Sequence, residues 1–168
     1  MDRPDWNQYY MDIAHSVAKR STCLRRSYGA IIVKNHRIIS TGYNGAMRGE
    51  SNCNDEGVCY RQKLGIKPGE RYELCKAVHA EQNAIINANP IDMVDATIYI
   101  SGYLSEDLEK KRVMSKPCLM CARMIRNAQL NAIVFFNPAA NNIHGEFSYY
   151  YVSRIADIME LPVIGESK

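Results

Sequence analysis

Three side chains of the types that bind zinc stand in two short segments of the chain. His79 lies in the first segment, and Cys118 and Cys121 lie three residues apart in the second. One imidazole and two thiolates leave the fourth tetrahedral position open to water, as a catalytic zinc site requires. We expect both segments to begin helices, where thiolates are favoured and residues three apart share a face. Pro117 suits an early helical position, so the spacing predicts a catalytic zinc site.

A carboxylate stands two residues after the histidine. Glu81 can face the same pocket as His79 from the first helical turn, and it is not needed as a metal ligand. It is therefore predicted to be catalytic, taking a proton from water and passing it to a substrate. His-x-Glu followed by Pro-Cys-x-x-Cys is typical of zinc-dependent deaminases. The alternative is a structural zinc site closed by another cysteine, but that site leaves Glu81 without a role.

The elements that must position these residues follow from the hydrophobic periodicity. Apolar residues at helical spacing predict helices, and short apolar runs predict strands, the first two forming a hairpin around residues 35–36. Strands that alternate with helices in the second half imply parallel pairing there. The predicted fold class is α/β, with three α/β/α layers and a mixed five-stranded sheet that has helices on both faces. The predicted helices are 6–19, 80–88, 118–127 and 149–159, and the predicted strands are 30–33, 37–41, 96–100, 132–136 and 162–164.

Length, composition and charge limit the class of protein. The 168 residues, 46% of them hydrophobic, suit a single domain over 1–168. A net charge of +3 is too small for a protein that wraps long nucleic acid. No apolar run approaches the ~20 residues of a membrane span, and the first residues lack the apolar stretch of a signal peptide. These features predict a cytoplasmic protein with no membrane partner.

Five further segments resemble the deoxycytidylate (dCMP) deaminase family. They lead up to the segment that contains His79, and the resemblance covers about residues 5–136. The similarity is greatest to the competence-associated branch of bacteria and phages. The segments are STCLRR at 21–26, GAIIV at 29–33, TGYNG at 41–45, CNDEGVC at 53–59 and GERYELC at 69–75.

The resemblance implies a cytidine deaminase-like fold and a reaction in which dCMP and water give dUMP and ammonia, the product feeding thymidylate synthesis. It also implies substrate contacts. Asn44 is expected to contact the sugar, while the backbone N–H of Ala80 and the carbonyl of Lys116 are expected to contact the base edge. Tyr43 is a further substrate-binding candidate. The alternatives are a turn asparagine beside Gly45 for Asn44, and packing at a strand end for Tyr43.

Regulation is also implied by the resemblance, because many family members bind dCTP as activator and dTTP as inhibitor and assemble as homo-oligomers, commonly hexamers. The effector site includes the loop 45–50, with Gly45 and Arg48 as candidate contacts. Met47 stands where relatives usually have proline, and this loosens the loop. Arginine suits phosphate because it donates two parallel hydrogen bonds. The candidates for holding phosphate are Arg25, Arg26, Arg48 and Lys116, and the alternative for each is a solvated surface charge.

Four cysteines remain after the two predicted zinc ligands, in or near a long aperiodic loop at 42–76: Cys23, Cys53, Cys59 and Cys75. Some dCMP deaminases carry a second, structural zinc that uses cysteines matching Cys23 and Cys53. In one phage branch a histidine and a glutamate complete that site, and Ala77 stands here in place of the glutamate. Cys59 and Cys75 could supply the missing pair, giving a closed four-thiolate site. The alternative is four free thiols, and Arg25 and Arg26 could support this cluster instead of binding phosphate.

The sequence departs from the family at 102–116, which we interpret as an insertion beside the expected pocket mouth. Its charged middle, 105–112, is predicted to form one or two helical turns. The insertion could be a lid, an interface element or, as the default, a solvated excursion. The run of tyrosines at 149–151 is typical of half-core, half-interface packing rather than of catalysis.

Two other functions compete with dCMP deamination. One is a related zinc deaminase acting on a cytidine nucleoside, dCTP or tRNA adenosine; the small net charge and the STCLRR and TGYNG segments disfavour tRNA. The other is a zinc-stapled binding module without catalysis. Glu81 separates the two classes, because a binding module has no need of it.

Overall fold

The structure, a computed structural model, describes residues 3–67, 69–139 and 147–151, with the backbone alone for 148–151. None of the helices in these ranges is both long enough and apolar enough to cross a membrane. The helices are α1 (Trp6–Ala18), α2 (Cys53–Glu56), α3 (Tyr60–Lys63), α4 (Ala80–Ile86), α5 (Pro90–Met93) and α6 (Leu119–Asn127). The strands are β1 (Arg26–Lys34), β2 (Arg37–Tyr43), β3 (Gly45–Ala46), β4 (Ala77–Val78), β5 (Thr97–Leu104), β6 (Ala132–Phe136) and β7 (Phe147–Tyr151).

Five strands form one mixed sheet in the order β2-β1-β5-β6-β7, which confirms the predicted sheet. Strand β1 runs antiparallel to both β2 and β5, and β5 pairs in parallel with β6. The hairpin turn is confirmed at Asn35 and His36, whose φ angles of 48° and 59° are those of a type I′ turn. A separate two-stranded pair joins β3 to β4.

The fifth strand is not the one predicted. Residues 147–151 pair antiparallel with β6, so the predicted helix over 149–159 is wrong at 149–151. The aromatic run Phe-Ser-Tyr-Tyr-Tyr has high strand propensity, and the open edge of β6 offers it backbone partners. The rest of that predicted helix and the predicted strand at 162–164 lie outside the described residues.

Helices cover both faces of the sheet, as predicted. Helix α1 buries Tyr10, Met11 and Ala14 against one face, where they meet side chains of β1, β5 and β6. Its first turn is capped by Asp5, whose carboxylate accepts a hydrogen bond from the backbone N of Gln8 at 2.8 Å. Helices α4 and α6 bury small and branched residues, among them Ala84 and Ile125, against the opposite face.

A glycine allows α4 to lie directly on β2. A Cβ atom on Gly42 would stand 2.2 Å from the backbone N of Ala84 and 2.3 Å from the carbonyl O of Ala80. Both distances are far below any ordinary carbon contact, so only glycine fits here. Because α4 begins directly after His79, this close approach of helix and strand also fixes the distance of His79 and Glu81 from the sheet.

The segment 102–116 differs from its prediction in two ways. Its first three residues belong to β5, where Leu104 pairs with Arg26 of β1. The charged middle forms turns instead of helix, because the Asp107 carboxylate accepts hydrogen bonds from the backbone N of Glu109 (3.0 Å) and of Lys111 (2.8 Å). The segment then returns to the sheet, where the Ser115 hydroxyl donates to the carbonyl of Ile100 at 2.9 Å.

The segment 102–116, whose default prediction was a solvated loop, contacts helix α1. The guanidinium of Arg112 pairs with the carboxylate of Asp12 on that helix, and it also lies 5.6 Å from the ring centre of Phe147. Since α1 covers the face of the sheet opposite α4 and α6, these contacts hold the middle of the segment on the α1 side.

Candidate active site

The predicted zinc ligands come together in the structure. The Sγ atoms of Cys118 and Cys121 lie 3.5 Å and 3.4 Å from Nδ1 of His79. A tetrahedral zinc ion at ordinary bond lengths holds its nitrogen and sulfur ligands about 3.6 Å apart. The three donor atoms all lie within 4.8 Å of one another, and no other such group of three occurs among the described residues. The chemistry and the spacing of the donors therefore fit zinc, with Nδ1 as the imidazole donor.

Two helix beginnings deliver these donors. His79 is the N-cap of α4, where its backbone N donates to Oε1 of Gln82 at 2.9 Å. Cys118 is the N-cap of α6, and Cys121 follows in the first turn, fully buried. Hydrogen bonding from Cys121 lowers the pKa of the Cys118 thiol, which favours its thiolate form. A thiolate is the form that binds metal.

Glu81 lies in the first turn of α4, beside the three donors. Its side chain is 6% exposed, and burial raises the pKa of its carboxyl group above the ordinary value. His79 counteracts this shift electrostatically, and so does a hydrogen bond with the Cys121 side chain, one of the three donors. A carboxyl group whose pKa is moved toward neutrality is suited to accept and return a proton.

The residues around this centre match a known family. The cytidine and deoxycytidylate deaminase zinc-binding region matches residues 4–137. The chain belongs to the cytidine and deoxycytidylate deaminase family. This membership accounts for a donor set of one imidazole and two thiolates beside a buried glutamate.

Several curated members of this deaminase family are similar to the chain. The deoxycytidylate deaminase of Mycobacterium phage D29 is 34% identical over 140 residues, which are 80% of this chain and 97% of the phage protein. ComE operon protein 2 of Bacillus subtilis is 34% identical, covering 80% of this chain and 61% of its own length. The deoxycytidylate deaminase of Schizosaccharomyces pombe is also 34% identical, but the chain spans only 37% of that protein.

A solved structure confirms the cytidine deaminase-like fold. The dCMP deaminase from cyanophage S-TIM5, in its apo form, aligns with a TM-score of 0.54 at 23% identity. The alignment covers 81% of this chain and 86% of the phage chain.

Asn44 has a structural role that could not be inferred from the sequence. Its Oδ1 accepts a hydrogen bond from the backbone N of Tyr28 at 2.7 Å, and its Nδ2 donates to the carbonyl of Arg26 at 2.8 Å. The amide therefore joins the end of β2 to β1. One N–H and one lone pair of the amide remain beyond these two bonds, so a sugar contact stays a prediction.

Two of the other predicted substrate contacts, Ala80 and Lys116, lie within two residues of a zinc ligand in the sequence, whereas Tyr43 ends β2. Ala80 is the first residue of α4 and is fully buried. Lys116 lies two residues before Cys118, half-buried, and burial lowers the pKa of its amine. Tyr43 is the last residue of β2, 36% exposed, and its carbonyl accepts a hydrogen bond from Nδ2 of Asn83 at 2.8 Å.

The residues predicted to bind phosphate or effectors have different surroundings in the structure. Arg48 donates to Oδ1 of Asn87 at 2.8 Å, and Asn87 caps the C-terminal end of α4, opposite the end that carries His79. Arg26 donates to the hydroxyl of Tyr28 at 3.2 Å. Arg25 is half-buried, and Gly45 is buried in β3.

The four remaining cysteines interact electrostatically, but among the described residues they do not form a ligand group. Cys23, Cys59 and Cys75 all act electrostatically on Cys53, whose pKa is raised mainly by burial. Within the described ranges, however, the only three ligand atoms within 4.8 Å of one another are those of His79, Cys118 and Cys121.

Two residues that could not be inferred from the sequence lie near the site: Tyr72 packs against His79, and Arg61 packs against Tyr72. The ring centre of Tyr72 lies 5.1 Å from that of His79, with the ring planes at 80°. The guanidinium carbon of Arg61 lies 4.8 Å from the Tyr72 ring centre. Both residues come from the aperiodic part of the chain before β4, where no spacing pattern marks a side chain as near the site.

Proposed function

We propose that this chain catalyses the hydrolytic deamination of dCMP to dUMP and ammonia, a reaction that supplies dUMP for thymidylate synthesis. The observation that carries the proposal is the buried carboxylate of Glu81 beside three donors suited to zinc. The phage D29 relative, which the chain covers almost completely, is a deoxycytidylate deaminase and supports dCMP as the substrate.

In this proposal His79, Cys118 and Cys121 would hold the zinc ion, which would supply a water that is nucleophilic at neutral pH. Glu81 removes a proton from the attacking water as the water oxygen bonds to C4 of the cytosine ring, and it delivers the proton to N3. It then moves a proton from the new C4 hydroxyl to the amino group, which leaves as ammonia while the C4 carbonyl of dUMP forms.

The substrate is held by the residues that the family resemblance indicates. The N–H of Ala80 and the carbonyl of Lys116 contact the base edge, Asn44 contacts the sugar, and Tyr43 is a further substrate-binding residue. The position of Ala80 between His79 and Glu81 supports this assignment, because its N–H lies at the open end of α4. Residues proposed for the phosphates of substrate and effectors are Arg25, Arg26, Arg48, Lys116 and Gly45.

Regulation by dCTP and dTTP, and assembly into a homo-oligomer such as a hexamer, are also proposed from the resemblance. Arg48 is exposed and held at its guanidinium by one neutral partner, Asn87, so its charge is not neutralised by that contact. An exposed guanidinium whose charge is not neutralised is suited to bind the phosphate of an effector nucleotide.

The experiment that tests the proposed function is a deamination assay of the zinc-loaded protein. The substrates are dCMP, CMP, deoxycytidine and dCTP, each with and without added dCTP or dTTP. We expect a higher kcat/KM for dCMP than for the other three, because contacts to the 5′-phosphate and the deoxyribose contribute to transition-state binding. Preference for another of these cytosine compounds would reassign the substrate. Absence of turnover on all four would contradict the proposal and point to a substrate outside them, such as tRNA adenosine, or to the zinc-stapled binding module.

A second, structural zinc is proposed at Cys23, Cys53, Cys59 and Cys75. Four thiolates complete a closed tetrahedral shell, and the gathering of three of these cysteines around Cys53 supports the site. We expect two zinc ions per chain by elemental analysis, falling to one in Cys59→Ser. The matched control is Ser51→Ala, an exposed change in the same loop, which should keep both ions. One zinc ion per wild-type chain would show that the four thiols are free.

A further inference from the structure

An aromatic ring packs against the imidazole of His79. Tyr72 places its ring almost perpendicular to the imidazole, with ring centres 5.1 Å apart. This is the edge-to-face arrangement that aromatic pairs prefer. Nδ1 of the same imidazole faces both thiols, at 3.5 Å and 3.4 Å. The Tyr72 ring thus contacts the group whose rotation would turn Nδ1 away from the metal.

Tyr72 is itself held by a buried arginine. The guanidinium of Arg61 lies 4.8 Å from the Tyr72 ring centre, within the range of a cation–π contact. Arg61 is only 6% exposed, and its Nη2 atom donates to the carbonyl of Lys67 at 2.9 Å and to the carbonyl of Glu70. These bonds fix the guanidinium against the backbone that leads to Tyr72, so the cation is a rigid support for the ring.

The backbone also directs Tyr72 toward His79. Arg71, directly before it, has φ 49° and ψ 48°, a left-handed conformation that residues other than glycine rarely adopt. A short 3-10 turn over Tyr72–Leu74 follows, in which the backbone N of Cys75 donates to the carbonyl of Tyr72 at 2.9 Å. Strained conformations of this kind persist where the surrounding contacts determine them, and they cluster at functional sites.

We propose that Tyr72, supported by Arg61, is a positioning residue that holds the imidazole of His79 in its metal-binding orientation. The inference rests on the proposed function, because it takes His79 as a zinc ligand. Partners that orient a metal-binding histidine typically change metal affinity by about 10- to 100-fold when they are removed. Such a partner usually acts through a hydrogen bond, whereas Tyr72 acts through the packing of its ring.

The test follows the imidazole of His79 directly. Protein labelled with ¹⁵N-histidine is loaded with zinc, and a chelator is titrated while the ring-nitrogen signals of His79 are recorded by NMR. We expect Tyr72→Ala to release zinc from His79 at an about tenfold lower chelator concentration than wild type. Tyr72→Phe keeps the ring and should match wild type, and Arg61→Lys, which loses the forked donors, should fall between the two.

Tyr60→Ala is the matched control, because Tyr60 begins α3 in the same part of the chain, next to Arg61, but is 53% exposed. It should release zinc as wild type does. If Tyr72→Ala does not fold, as judged by circular dichroism, Tyr72→Leu keeps the apolar volume without the ring and takes its place. An unchanged midpoint in the variant used would overturn the inference. If wild-type His79 shows no zinc-bound signal, the proposed function itself is wrong.

Discussion

Glu81→Gln is expected to keep its zinc and to lose turnover of dCMP by about 10²- to 10⁴-fold, the range typical of a lost general acid–base group. The amide has nearly the shape of the carboxylate, but it cannot take a proton from the attacking water or return one to the leaving amine. Because Glu81 is buried beside the donors, the substitution also removes a buried charge, and the fold should tolerate it. The measurements are single-turnover rates and zinc content on the same sample.

The matched control is Glu106→Gln, which makes the same chemical change at an exposed carboxylate in the segment after β5. It should retain the wild-type rate. A Glu81→Gln variant that retained most of its activity would show that another group moves the proton, and the mechanism proposed for this chain would then be wrong.

Cys121→Ser is expected to lower the zinc content by one ion per chain and to abolish deamination. Cys121 is fully buried, and its Sγ lies 3.4 Å from Nδ1 of His79, so it occupies one corner of the donor triangle. A serine hydroxyl is shorter and is not a usual zinc ligand, whereas a thiolate binds at ~2.3 Å. Elemental analysis and the dCMP assay, run in parallel, check the two effects.

Met120→Ser controls for the introduction of a serine in the same helical turn, since Met120 is 42% exposed and contributes no donor. It should keep both zinc and activity. The comparison holds whether the chain carries one zinc ion or two, because it counts only the difference from wild type. Full zinc content in Cys121→Ser would exclude Cys121 as a ligand.

The parts of the site that could be predicted from sequence are those encoded locally. His79 and Cys118 are the N-caps of two helices, and Cys121 lies in the first turn of the second, so the spacing of the two cysteines places both at the start of one helix. The hairpin was predictable for a similar reason, because Asn35 is among the residues that tolerate the left-handed φ required there.

The parts that could not be predicted depend on contacts between distant segments. Arg61 and Tyr72 lie in short irregular elements without hydrophobic periodicity, and the contacts of Tyr72 with His79 and with Arg61 exist only in the folded chain. The tyrosine run at 149–151 has a helix-compatible pattern of apolar residues, but the open edge of β6 decides in favour of a strand. Likewise, the carboxylate of Asp107 accepts hydrogen bonds from backbone N–H groups of the following residues, and turns form there instead of the expected helix.

Strand β5 separates the zinc donors along the sequence, because His79 precedes this strand and Cys118 follows it. Strand β5 is also the centre of the sheet, between β1 and β6. An ion that binds only the folded chain stabilises it by mass action, by about 2.7 kcal/mol when free zinc is 100 times Kd. Opening the sheet at β5 separates the donors and forfeits that stabilisation. Free zinc concentration therefore governs how often the central strand opens, and its amide protons should exchange with solvent more slowly as zinc rises.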